Sequence, residues 1–253
     1  MRAVEPRVVS LNVGMPQELG EEGHRDVLKR PWVTGIFKTP VAQPVWLGHV
    51  NLDGDGQGDH KVHGGPDRAV NVYPAEHYPF WRHELGQPDL AYAAFGENFT
   101  TTGQLESSVC IGDIYDVGDA VVQVTQPRLP CWKLARRFQL KDMAVRLRVT
   151  GRVGWHLRTL TEGKVSAGQP LLLVERPQPE WPIERAFEVI VNVRRDRESA
   201  RQLLRCPSLS AYLQRALADP DSVPDRVEVE TRSTALGPGT PESVDWTSPS
   251  HQA

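Results

Sequence analysis

The sequence predicts a mainly β fold, a β-barrel with a few short helices, followed by a small three-helix appendage. Three observations predict it. Short valine-rich runs alternate with Gly-Asp turns between residues 7 and 176, the 21 glycines and 21 prolines fall mostly between those runs, and apolar spacings of three and four dominate only after residue 181. A chain of 253 residues exceeds the usual single domain, yet all-β barrels of that length fold as one unit, so one main domain plus an appendage is expected.

Taken in order, "RVVSLNV" (7–13) reads as the opening strand. Pro74 starts a helix whose Tyr78, Trp81 and Leu85 share a face; Gly86 stops it, and Pro79 splits or kinks it. "IYDVGDAVVQV" (114–124) is a β run punctuated by a Gly-Asp turn. A second helix follows Pro130 with Leu134 and Phe138 at i, i+4, and Asp142 caps a third on which Met143 and Leu147 pair. "VSAGQPLLLVER" (165–176) is the last β run, and the prolines of "ERPQPEWP" (175–182) make a stiff linker. Beyond it Ile183, Ala186, Phe187 and Ile190 begin an apolar stripe that Leu203, Leu209, Leu213 and Leu217 continue across a break at Pro207. The expected units are a barrel domain over 1–176 with its core at about 34–176, helices over 181–218, and a tail over 219–253 too polar to bury a core.

The net charge of -3 is spread evenly along the chain, which gives no footprint for duplex nucleic acid or an anionic membrane. No run of apolar residues is long enough to span a bilayer and no secretory leader is visible, so a cytoplasmic location is expected. Cys110, Cys131 and Cys206 are odd in number and form no CxxC, which argues against a disulfide framework.

Two segments carry candidate chemistry. In "NLDGDGQGDHKVHGGPDR" (51–68) a calcium loop started at Asp53 puts Gly64 where a bidentate glutamate is needed, and His60 and His63 lack a completing zinc set. Gly64 and its neighbour allow backbone amides to approach an anion, with Lys61, His63 and Arg68 on the same turn; a plain β-turn with Arg68 paired to a carboxylate is the competing reading. In "QPRLPCWKL" (126–134) Cys131 falls at a strand-to-helix turn between Arg128 and Lys133, a setting that favours thiolate. Nucleophile, soft metal ligand and buried small hydrophobe all remain open for it.

"KVHGGPDRAVNVYPAEHYPFW", "FGENFTTTGQLES", "CIGDIYDVGDAVVQVTQPRLPCWKL" and "TGRVGWHLRTLTEGKVSAGQPLLLVER" together resemble, in order and spacing, the YiiM-like branch of the MOSC domain family over about residues 8–176. The later helices resemble the three-helix domain that follows the barrel in that branch. The resemblance implies a MOSC-type β-barrel that binds the molybdenum cofactor, with Cys131 as catalytic residue and molybdenum ligand. It makes Lys61, His63, Gly64, Arg68, Asn98, Arg128 and Lys133 candidates for holding the pterin and its phosphate. The implied activity is reduction of small N-hydroxylated compounds such as N-hydroxylaminopurine or amidoximes, with electrons from a separate reductase and the chain a monomer or homodimer. Glu97, His63 and His77 are conceivable proton donors, and Lys38 in "TGIFKTPV" an anion contact. A cofactor carrier or sulfur-transfer module and a Cys131 hydrolase are the competing functions.

Overall fold

The computed structural model describes residues 5–58 and 64–219. Its strands in chain order are β1 (Arg7–Val13), β2 (Gln17–Leu19), β3 (Trp32–Thr34), β4 (Thr39–Pro40), β5 (Val45–Leu47), β6 (Val70–Pro74), β7 (Phe99–Thr102), β8 (Ile114–Val117), β9 (Ala120–Pro127), β10 (Trp155–Thr161), β11 (Gly163–Val165) and β12 (Leu172–Glu175). Eight of them form one sheet in the order β12-β8-β9-β10-β6-β7-β1-β4; β2 pairs with β3, and β5 with β11. All the pairings are antiparallel except that of β6 with β7.

The sheet curls until its far parts meet. Leu171 N–H donates to the Pro6 carbonyl at 2.9 Å and Val8 N–H to the Gln169 carbonyl at 2.9 Å, joining β1 to the segment that enters β12. Curling of this kind satisfies backbone groups that a flat sheet would leave exposed at an edge. Inward residues alternate along β9, where Val122 and Val124 are buried, and along β10, where Trp155, Leu157 and Thr159 are.

The helices are α1 (Tyr78–Glu84), α2 (Lys133–Phe138), α3 (Met143–Thr150), α4 (Ile183–Val191), α5 (Arg197–Leu204) and α6 (Ala211–Ala218). The expected apolar stripe after the linker is inward: Ile183, Ala186, Leu203, Leu213 and Leu217 share one core with Val122, Val124 and Leu157 of the sheet. The linker is hydrogen-bonded along its length rather than free. Ile111 N–H donates to the Trp181 carbonyl at 2.9 Å, and Arg176 pairs with buried Asp113 at 2.7 Å. A second core, rich in aromatics, lies under α1 to α3 and includes Tyr73, Tyr78, Trp81, Phe95 and Phe138.

Several local expectations are corrected. Pro74 both ends β6 and caps a 3-10 turn over Ala75–His77 that runs into α1, so the helical segment starts where expected and is split in two at Tyr78; Pro79 sits in the first turn of α1, where its missing N–H costs nothing. Helix α2 starts three residues after Pro130, because Leu134 and Ala135 N–H donate to the Cys131 and Trp132 carbonyls at 3.1 and 3.0 Å and make a tight turn first. Asp142 stands at the N-cap of α3 and its carbonyl accepts from Arg146 N–H at 2.9 Å, but its carboxylate takes Arg146 Nε at 2.9 Å instead of a capping N–H. The 165–176 run is broken by a turn in which Ser166 N–H donates to Gln169 Oε1 at 2.7 Å. Among the described residues no helix is long and apolar enough to cross a membrane. The expectation for the tail falls on residues outside those described.

Candidate functional site

Where β9 ends at Pro127, the chain turns through Arg128 to Trp132 before α2, and this turn forms one wall of a cavity of about 530 Å³. That size lies within the range of about 300–1,000 Å³ usual for small-molecule sites. The opposite walls come from Thr34–Lys38, the 56–58 loop, the short turn Pro66–Arg68 after Gly65, and the 95–98 loop; α3, α4 and α6 close the remaining side. Two glycines are required by backbone geometry. Gly65 has φ 98° and turns the chain into Pro66–Arg68, and Gly96 has φ 76° where a Cβ would lie 2.7 Å from Ile36 Cγ1.

Of the residues singled out from the sequence, Lys38, Arg68, Asn98, Arg128, Cys131 and Lys133 line this cavity, although Arg68 and Cys131 are 63 positions apart. Gly64 does not line it. Lys61 and His63 lie outside the described residues. Cys131 is half-buried, whereas Cys110 and Cys206 are buried elsewhere. Burial pushes both of those thiols up, Cys206 to about 11.

Arg128 is buried and bound on one side only. Its Nη2 donates to the Phe95 carbonyl at 2.6 Å, while Nη1 has no hydrogen-bond partner among the described residues. A buried guanidinium nitrogen left so costs on the order of 1–3 kcal/mol, which an anion in the cavity would recover. Arg68 lies over the Tyr212 ring at 4.7 Å and donates from Nε to Gln126 Oε1 at 3.4 Å, which holds its guanidinium at the cavity wall. Lys133 is buried, with its ammonium 5.9 Å from the centre of the Trp132 ring.

Asn98 has a mainly architectural set of bonds. Its Nδ2 donates to Asp55 Oδ2 at 2.9 Å and to the Asn12 carbonyl at 3.2 Å, and its Oδ1 accepts from Asn71 N–H at 3.0 Å. Asp55 also accepts from Gly14 N–H at 3.0 Å and pairs with Lys38. The Lys38 ammonium, expected as an anion contact, is thereby neutralised, and burial holds it below the usual lysine range.

The proposed proton donors Glu97 and His77 do not line the cavity. Glu97 is buried and accepts from the Tyr78 hydroxyl, from Ala93 and Phe95 N–H at 2.8 and 3.2 Å, and from Thr100 Oγ1 at 2.9 Å; burial raises its carboxyl. It holds the 93–97 loop together. His77 bonds to Glu106, whose Oε1 accepts from Val153 and Gly154 N–H at 2.9 and 2.8 Å. The histidine that does line the cavity, among the described residues, is His156 on β10. Sequence reasoning also misses Lys141, Arg148, Arg194 and Arg195, which the fold brings to the same cavity.

A curled β sheet whose strand-to-helix turn presents a cysteine to a cationic cavity defines the class of domain, and the MOSC domain model matches residues 59–172. The chain is 50% identical to YflK of Bacillus subtilis over 169 residues, 67% of this chain and 73% of that protein. It is 41% identical to YiiM of Escherichia coli over 186 residues, 73% of this chain and 83% of the relative. A Gibberella moniliformis protein named a reductase is 41% identical over 160 residues, 62% of this chain but 28% of that longer protein. The crystal structure of YiiM from Geobacillus stearothermophilus superposes with a TM-score of 0.70 at 36% identity, covering 85% of this chain and 98% of that one. The chain belongs to the MOSC family, and within it to the YiiM-like proteins.

Proposed function

We propose that this chain is a molybdenum-cofactor-dependent reductase of N-hydroxylated compounds, with Cys131 as the protein ligand of molybdenum. Family membership and the reductase named among the relatives support the class. One observation carries the site: Cys131 shares a cavity with a buried guanidinium nitrogen, Arg128 Nη1, that has no hydrogen-bond partner among the described residues. The residues present fit the group. A thiolate suits a soft thiolate-rich metal centre, and Arg128 with Arg68 suits a terminal phosphate.

When bound, the cofactor supplies a two-electron redox change. The overall conversion takes R–NH–OH, two electrons and two protons to R–NH2 and water, with the electrons delivered by a separate reductase. The chain's own groups bind and orient. Cys131 holds the metal through its sulfur, and the flanking Pro130 limits backbone movement there. Arg128 and Arg68 anchor the phosphate, Lys133 adds positive potential beside the thiolate, and the half-buried His156 imidazole holds a proton within the cavity. Phe95, Leu129 and Trp132 exclude water and strengthen each of these contacts.

The test uses protein expressed in a host that makes the cofactor. Molybdenum content is measured, and dye-reduced protein is mixed with N-hydroxylaminopurine under anaerobic conditions. Molybdenum with rapid reoxidation and formation of the amine is expected. Molybdenum without turnover leaves a carrier and overturns the reductase reading, and alkylation-sensitive hydrolysis by metal-free protein points to a thiol hydrolase.

A further inference from the structure

The cations of the cavity stand on two sets of elements. Arg68, Arg128 and Lys133 come from the turn after Gly65 and from the strand-to-helix segment that carries Cys131, while Lys141, Arg148, Arg194 and Arg195 come from α3 with the residue before its cap and from the segment after α4. Asp55 is the one carboxylate lining the cavity among the described residues, and Lys38 neutralises it. The cofactor anchored beside Cys131 carries a single terminal phosphate, so the second group of cations has no counterpart in it.

The second wall is organised around Arg148. Its Nη2 donates to the Val191 carbonyl at 3.3 Å, tying the end of α3 to the end of α4. Ala144 and Arg148 are i, i+4 on the face of α3 that lines the cavity, and Lys141, just before that helix, lines it too. Arg146, off that face, is paired with Glu84 and Asp142 at 2.9 Å each. Lys141, Arg148 and Arg195 form no ion pair with a carboxylate among the described residues. Charges facing solvent on α3 are thus balanced within the chain, and those facing the cavity are not. Phe187, Ile190, Val193 and Leu213 line the same cavity, an apolar strip suited to a flat, weakly polar body.

Resting on the reductase reading above, we infer that this wall is a subsite for the anionic tail of the substrate, and that the preferred substrate class is N-hydroxylated nucleoside monophosphates rather than free bases. The base lies along the apolar strip with its N-hydroxyl group toward Cys131, and the phosphomonoester is received by Lys141, Arg148 and Arg195. Two or three cations converging on a dianion give charge-assisted bonds that a neutral nucleoside cannot make.

The test is binding, read separately from turnover. Adenosine 5'-monophosphate, adenosine and inorganic phosphate are titrated by calorimetry into cofactor-loaded protein, and molybdenum content is measured in each variant. The monophosphate is expected to bind at least about tenfold tighter than adenosine, a ratio that falls as salt is raised. Lys141→Ala with Arg195→Ala, both exposed positions that leave the fold intact, removes that ratio without changing molybdenum content, as does Arg148→Ala; Arg146→Ala keeps it. Inorganic phosphate competes with the monophosphate but not with adenosine. Equal affinity for monophosphate and nucleoside overturns the inference, as does a preference that survives the double variant. Molybdenum lost in the double variant overturns it too, because these cations then hold the cofactor. A retained preference for monophosphate with no turnover of its N-hydroxylated form would instead sink the reductase reading alone, and turnover without the preference would sink the subsite alone.

Discussion

Replacing Arg128 with methionine separates anchoring of an anion from support of the fold. The substitution keeps much of the volume and leaves the backbone bond from residue 128 N–H to the Gly154 carbonyl, 3.0 Å long, in place. It removes the donor to the buried Phe95 carbonyl at 2.6 Å, a loss on the order of 1–3 kcal/mol. It also removes the partnerless Nη1, whose burial costs a similar amount of opposite sign. The two nearly cancel, so metal-free protein is expected to melt within about 5 °C of wild type, the shift that ~1.5 kcal/mol produces in a chain of this size. In loaded protein the variant forfeits a charge-assisted contact of about 1.5–3 kcal/mol, roughly 10- to 150-fold in cofactor affinity. Melting curves of metal-free and loaded protein, with molybdenum content on the same samples, make the comparison. A metal-free variant that melts more than about 10 °C lower while retaining full molybdenum would make Arg128 a framework residue and refute the reasoning.

Two further predictions concern other parts of the molecule. Alkylation with iodoacetamide at pH 8, followed by peptide mass analysis of metal-free protein, is expected to modify Cys131 first: Cys206 is buried and pushed up to about 11, leaving about one thiolate in a thousand, and burial raises Cys110 as well. Labelling of Cys206 at the rate of Cys131 would contradict this. Gly96→Ala forces a Cβ to 2.7 Å from Ile36 Cγ1 at φ 76° and is expected to destabilise by at least about 1–3 kcal/mol in denaturant titration; an unchanged midpoint would show that the 95–98 loop relaxes freely.

The parts of the fold written in local patterns are legible in the sequence. Strand β1, the Gly118-Asp119 turn between β8 and β9, and the inward stripe of α4 to α6 all follow from apolar period and turn chemistry. Strand β10 is harder to read because Thr159 rather than an apolar residue fills its third inward position and the alternate positions His156 and Arg158 are half-buried. Pairing order is set by tertiary closure and lies outside any local window, as with the parallel contact of β6 and β7. The site divides in the same way. Arg68, Arg128 and Cys131 stand in short recognisable motifs, whereas Lys141, Arg148 and Arg195 are ordinary surface-type cations until α3 and α4 meet. Glu97 and His77 look like chemistry in the sequence because they are acid and imidazole beside glycine or tyrosine. Burial turns them into anchors for backbone amides and a tyrosine hydroxyl instead.

Whether Cys131 binds molybdenum in this cavity is read by X-ray absorption at the molybdenum edge, with metal content measured on wild type and on Cys131→Ser, Cys110→Ser and Cys206→Ser. About one molybdenum per chain is expected in wild type and in the Cys110 and Cys206 variants, with one sulfur scatterer or the metal itself lost only in Cys131→Ser. An unchanged sulfur shell and full metal in Cys131→Ser, or no molybdenum in wild type from a cofactor-producing host, would contradict it.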